Sequence, residues 1–197
     1  MPVPDEQPDL ALVEGYLTRK GIIASRFPLS ATQKGKTPDF RVMRDNQLIA
    51  YCEVKSPNDP WLDTLLEEAS PGTIVGGLRN DPIFNRLARL LMKSAEQFEA
   101  VNPGRSAFNI LAYVNHDVAC GFADLRETVT GYFYAEGGGR YATMVHLAEG
   151  RLREPKRKID AILWFEAKEQ RMVAAMVNYD DPIREQQVRT LLNLPRK

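Results

Sequence analysis

Residues 37 to 57 read Thr37-Pro38-Asp39-Phe40-Arg41-Val42-Met43-Arg44-Asp45-Asn46-Gln47-Leu48-Ile49-Ala50-Tyr51-Cys52-Glu53-Val54-Lys55-Ser56-Pro57. Two runs rich in β-branched, aromatic and aliphatic residues, Phe40 to Met43 and Leu48 to Val54, flank the turn formers Asp45, Asn46 and Gln47, which predicts a β-hairpin. If those three residues form the loop and Arg44 closes on Leu48, antiparallel pairing keeps the sum of paired numbers constant and Asp39 falls opposite Glu53. Side chains alternate along a strand, so Asp39, Arg41, Tyr51, Glu53 and Lys55 share one face, with Phe40, Val42, Leu48, Ala50, Cys52 and Val54 on the other. The second set is the natural core face. The first places two acids and a lysine together at the open end of the hairpin, where opposed like charges destabilise unless something neutralises them. Carboxylate oxygens completed by phosphate and water suit Mg²⁺, with Mn²⁺ as a substitute. Lys55 could orient or deprotonate an attacking water, or offset charge at a reacting phosphate.

Pro38-Asp39, thirteen intervening residues and then Glu53-Val54-Lys55 resembles the PD-(D/E)xK nuclease superfamily, the restriction-endonuclease-like fold. The resemblance implies that Asp39 and Glu53 bind the metal and that Lys55 takes part in catalysis; the carbonyl of Val54 is a further candidate ligand. It also implies an αβββαβ core over about residues 9–116, a mixed central sheet flanked by helices, with a C-terminal α+β extension over 117–197. The expected activity is metal-dependent hydrolysis of nucleic acid, DNA before RNA, and homodimerisation is common among such enzymes. The second expectation, from another class, is a nucleic-acid-binding or assembly protein that keeps this fold without cleaving.

At 197 residues the chain suits one domain with one sizeable core. The composition, 44% hydrophobic and 26% charged, is that of a globular protein. No segment is long and apolar enough to span a membrane, and the first residues carry no secretory pattern, so a cytoplasmic protein is expected. With 26 basic and 26 acidic residues, nothing global draws the chain to a polyanion, and nucleic-acid contacts must come from local patches. Cys52 and Cys120 have no metal-ligand spacing and read as structural.

A helix is expected from Asp9 to Lys20, capped by Asp9, with Leu10, Val13 and Leu17 buried. Glu14 lies on the edge of that stripe and either reaches solvent or, as acids on the first helix of the superfamily often do, points into the metal site. Ile22 to Leu29 reads as a strand, followed by a loop in which Lys34 and Lys36 could contact phosphate. Trp61, in a short helix, could stack on a base or anchor the long excursion that follows the hairpin. Asp81-Pro82 opens a helix running to about Val101, buried through Ile83, Leu87, Leu91, Phe98 and Val101, with Arg86, Lys93 and Gln97 in a polar line beside it. By the resemblance, such basic and amide groups are candidate phosphate or water contacts. Ala107 to Val114 reads as a central strand. A metal-dependent phosphohydrolase reading of His116-Asp117 fails, because the only other histidine is His146. Beyond it we expect a helix from Ala123 to Tyr134, a triple-glycine turn, a strand from Tyr141 to Leu147, a basic loop including Arg157 and Lys158 suited to backbone contacts, a second hairpin over Ile159 to Val177, and a helix after Asp181.

Overall fold

The computed structural model describes residues 6–28, 36–57, 61–76 and 83–195, with the backbone alone for 61–63. Elements are numbered in chain order. A six-stranded sheet has the order β1-β2-β3-β4-β7-β8. Its centre is β3 (Gln47–Lys55), β4 (Phe108–Asn115) and β7 (Ala161–Glu166), which run parallel. Antiparallel neighbours close the flanks: β2 (Phe40–Arg44) and β1 (Ile23–Arg26) on one side, β8 (Arg171–Val177) on the other. β4 is buried along nearly its whole length, as its continuous apolar run predicts for a doubly covered strand.

Helices cover both faces, making an α/β protein with a mixed central sheet. On one face α1 (Gln7–Arg19) and α7 (Pro182–Leu192) pack Leu10, Val13, Leu17, Val188 and Leu192 against Phe40, Val42, Cys52, Ala112 and Leu163. On the other, α3 (Ile83–Val101) and α4 (Phe122–Thr130) pack Leu87, Leu91, Phe98 and Leu125 against Leu111, Tyr113 and Trp164. Both cysteines are buried and free, in keeping with a structural role. No described helix is long and apolar enough to cross a membrane.

The hairpin forms, but by a different turn. Asp45 and Asn46 alone make the loop, both with positive φ (51° and 61°), and Arg44 pairs with Gln47. Such a two-residue turn matches the twist of the strands and tolerates Asn and Asp. A bulge between Val42 and Met43 then takes up Ile49, so that from Val42↔Ala50 onward the pairing is the expected one. It also changes which side chains face the core. Leu48, expected there, is 39% exposed, and Ile49 packs on the core instead.

Several other expectations change. α1 begins at Gln7, so Asp9 does not cap it but sits inside its first turn, buried. α4 stops at Thr130, because Gly131 turns left-handed (φ 76°) and its N–H closes on the Glu127 carbonyl at 2.7 Å. Tyr132 to Tyr134 then form β5, paired with β6 (Arg140–Ala142), where helix had been expected. The strand expected to reach Leu147 ends at Ala142 and gives way to α5 (Val145–Glu149), and the basic loop contains α6 (Arg153–Arg157). Residues 117–197, expected as an extension, supply β7 and β8 to the same sheet. α2 (Trp61–Glu67) is present, whereas Lys34, the Asp81-Pro82 helix start and the Trp61 side chain lie outside the described residues.

Candidate active site

The carboxylates of Asp39 and Glu53 meet where β2 begins and β3 ends. The Asp39 N–H donates to Glu53 Oε2 at 3.1 Å, and the Val54 N–H donates to Asp39 Oδ2 at 2.8 Å. Each acid is therefore oriented by backbone of the facing strand. Lys55 Nζ donates to the other Glu53 oxygen, Oε1, completing an acid pair with a basic partner. Arg26, from the end of β1, stands 3.9 Å from Asp39 Oδ1.

Glu53 is 2% exposed. Burial, and then the Asp39 charge beside it, push its carboxyl up to about 7, against the opposing pull of Lys55 and Gln97. The same burial, with both acids nearby, pushes the Cys52 thiol well above its ordinary range and keeps it inert. The two acids are held together against burial and like-charge repulsion, with Lys55 beside Glu53 and Arg26 beside Asp39.

Among the residues expected on α3, Gln97 reaches this site. It is buried, its Nε2 donates to the Thr37 carbonyl at 3.2 Å, and its Oε1 has no hydrogen-bond partner among the described residues. Lys93 is exposed one turn earlier, about 6 Å along the axis, and Arg86 lies about 16 Å away. Lys36 is exposed, three residues ahead of Asp39. Glu14 is exposed on α1, well around the helix from the buried Asp9. Arg157 and Lys158 are not brought to the site: they precede β7, two strands across the sheet from β3, and are paired elsewhere. There Arg157 pairs with Glu154 and Asp180, and Lys158 with Glu99.

The residue that sequence reasoning missed is Asp9. It is 5% exposed and accepts from Ser56 Oγ, immediately after Lys55. His116 Nε2, just past β4, lies 2.9 Å from both Asp9 oxygens, and because a carboxylate only accepts, that nitrogen carries the proton. Asp9 thus ties α1 to the ends of β3 and β4 and holds the turn that leaves Lys55. Its signal in the sequence was an acid one position ahead of Leu10 on an apolar stripe, which is equally the signature of a cap.

The residues present fit a divalent cation: a buried carboxylate on Glu53 and a half-buried one on Asp39, both hard oxygen and fixed in orientation, with an unpartnered amide oxygen on Gln97 close by. Among the described residues no group of three or more His, Cys, Asp or Glu side chains gathers as a metal cluster, so a cation held here would take its other ligands from water, substrate or main-chain oxygen. A cleft of about 210 Å³ lined by Tyr132, Tyr134, Arg140, Lys156 and Met176 lies beside the start of β7 and contains none of these groups. No family model, curated protein or solved structure matches the chain.

Proposed function

We propose that the protein is a metal-dependent nuclease that hydrolyses phosphodiester bonds of nucleic acid, DNA before RNA. The observation that carries this reading is Glu53, a carboxyl buried beside a second acid and pushed up to about 7. A hairpin held only by its core face gains nothing from that arrangement, whereas a cation site on a phosphoryl-transfer enzyme would use both carboxylates as ligands. The finer fold reading, a restriction-endonuclease-like core, belongs to the same proposal, supported by the order α1, β1, β2, β3, α3, β4 and by the acids at the start of β2 and the end of β3. So does action in the cytoplasm, and pairing of two chains where both strands of a duplex are to be cut.

Asp39 and Glu53 would hold Mg²⁺ or Mn²⁺, with the Val54 carbonyl as a further ligand. The bound ion supplies positive charge at the phosphate and lowers the pKa of water. The Val54 N–H fixes Asp39 through Oδ2 and leaves Oδ1, which faces Arg26, as the oxygen that would be offered to an ion. Lys55 is positioned to offset charge on the phosphate oxygens or to hold a proton at Nζ, and its bond to Glu53 keeps that nitrogen in the site in the resting chain. Gln97 Oε1 can accept from a water that attacks phosphorus. Asp9 acts at one remove by fixing Ser56 behind Lys55.

Incubation of the protein with supercoiled plasmid, single-stranded DNA and RNA, each with Mg²⁺, Mn²⁺ or EDTA, tests the proposal beside Glu53→Ala and Lys55→Ala. Cleavage that needs metal and falls by at least about a hundredfold in both variants is expected, since each removes a group acting at the reacting phosphate. Equal cleavage by wild type and Glu53→Ala would overturn the mechanism.

A further inference from the structure

The face of the sheet that carries Asp39 and Glu53 continues past them onto β1 and β2. Pairs Ser25↔Arg41 and Arg26↔Phe40 fix β1 against β2, and the register carried one residue further sets Phe27 beside Asp39. Arg41 in turn pairs with Tyr51. Phe27, Arg41 and Tyr51 therefore lie on the same face as the two acids, one strand or one row away.

These three side chains form a platform. The Phe27 and Tyr51 rings stack with centroids 6.0 Å apart and planes 15° from parallel, and the Arg41 guanidinium lies 5.6 Å from the Phe27 ring centre. Both rings are half-buried and Arg41 is exposed. The helix on this face, α3, lies over β3 and β4. Arg41 has no carboxylate partner among the described residues, and Lys36 adds an exposed cation three residues ahead of Asp39. Rings flanked by cations are poor core material and a good surface for a base attached to an anionic backbone.

We propose that this platform binds single-stranded nucleic acid, stacking a base against Phe27 and Tyr51 while Arg41 takes a flanking phosphate, and that the substrate of the adjacent site is accordingly a single strand or an unpaired end. The inference rests on the nuclease reading for its second half only. A duplex keeps its bases stacked on one another and offers the platform a backbone alone, whereas an unpaired base presents its face to a ring. The platform's position beside Asp39 puts a stacked nucleotide next to the phosphate to be cut.

The test is fluorescence anisotropy in EDTA, which separates binding from cleavage. It compares a labelled 20-nucleotide DNA strand, the same sequence as duplex and the equivalent RNA strand, against wild type, Phe27→Leu with Tyr51→Leu, and Arg41→Gln. Wild type should bind single strands at least about tenfold more tightly than duplex. The double leucine variant, which keeps apolar volume but not the rings, should lose about tenfold or more for single strands and little for duplex. Arg41→Gln, at an exposed position, should weaken single-strand binding and flatten its salt dependence. Comparison of the DNA and RNA strands decides which sugar the platform prefers. Duplex bound as tightly as single strands, or single-strand binding unchanged in both variants, would overturn the proposal. If the platform binds as expected while wild type cuts nothing with Mg²⁺ or Mn²⁺, the nuclease reading fails and the platform stands.

Discussion

Glu53 meets a conflict that its neighbours only partly relieve. Burial and Asp39 raise its carboxyl from an ordinary 4.5 to about 7, so without metal the folded chain holds a proton there that the unfolded chain has released. Below pH 4.5 both states are protonated and the group is neutral to stability. As pH rises from there through about 7 stability falls, by about 3 kcal/mol once the folded carboxyl has ionised. Urea unfolding in EDTA should show that loss between about pH 4.5 and 7 in wild type, and Glu53→Gln should lack that part of the slope; identical slopes would remove Glu53 as its source. Mg²⁺ competes with the same proton, so its stabilising effect should be present at pH 8 and absent at pH 5.5. The acids and Lys55 were legible in the sequence because a strand alternates and a hairpin pairs. Asp9 was not, since its partners Ser56 and His116 come from 47 and 107 residues away and meet it only once α1 docks on the ends of β3 and β4.

The hairpin reaches the expected pairing by compensation. A two-residue turn alone would have set Asp39 against Cys52 and put an acid on the core face, and the extra residue Ile49 shifts the register back by one. A three-residue loop read from sequence gives the same sum of paired numbers, so the site came out right while the turn and the facing of Leu48 did not. At α4 the error was one of period: Tyr132, Phe133 and Tyr134 extend an apolar pattern that helix and strand share over so short a run. Gly131 decides it. Its φ of 76° suits glycine, and a Cβ there would come within 2.6 Å of Val145 Cα. Gly131→Ala is therefore expected to cost more than the strain of a left-handed residue alone, about 2 to 4 kcal/mol, and to lower Tm by roughly 5 to 15 °C. A Tm within 2 °C of wild type, roughly the shift of 1 kcal/mol or less, would mean the α4–β5 junction relaxes freely.

Across the whole molecule, the acid pair and the buried ion-pair network sit two strands apart, Asp160 lying level with Tyr51 through Asn109. The acids gather at the carboxyl end of β3, while ahead of β7 the buried Asp160 accepts from the Asn109 N–H at 2.8 Å and pairs with Arg105 and Arg184. Arg184 also donates to the Ala107 and Arg105 carbonyls, so it ties α7 to the segment entering β4 and to the start of β7. Arg184→Ala strips the buried Asp160 of one of its two arginines and should cost about 3 kcal/mol, lowering Tm by roughly 6 to 12 °C, with metal affinity unchanged. A loss of metal binding in the folded variant would show that the two clusters are coupled. That β7 and β8 complete the central sheet was hidden from the sequence, where each strand was visible but its partner was not: local pattern reports a strand and its exposed face, and sheet order depends on contacts across some fifty residues.

The central claim is that Asp39 and Glu53 together form a divalent-cation site, and Mn²⁺ binding followed by electron paramagnetic resonance tests it without requiring catalysis. At pH 8, wild type should bind Mn²⁺ saturably and release it to excess Mg²⁺, with binding weakened at least about tenfold in both Asp39→Asn and Glu53→Gln, since each variant loses one charged oxygen ligand. Binding of equal strength in wild type and both variants, or no saturable binding in wild type, would contradict the account.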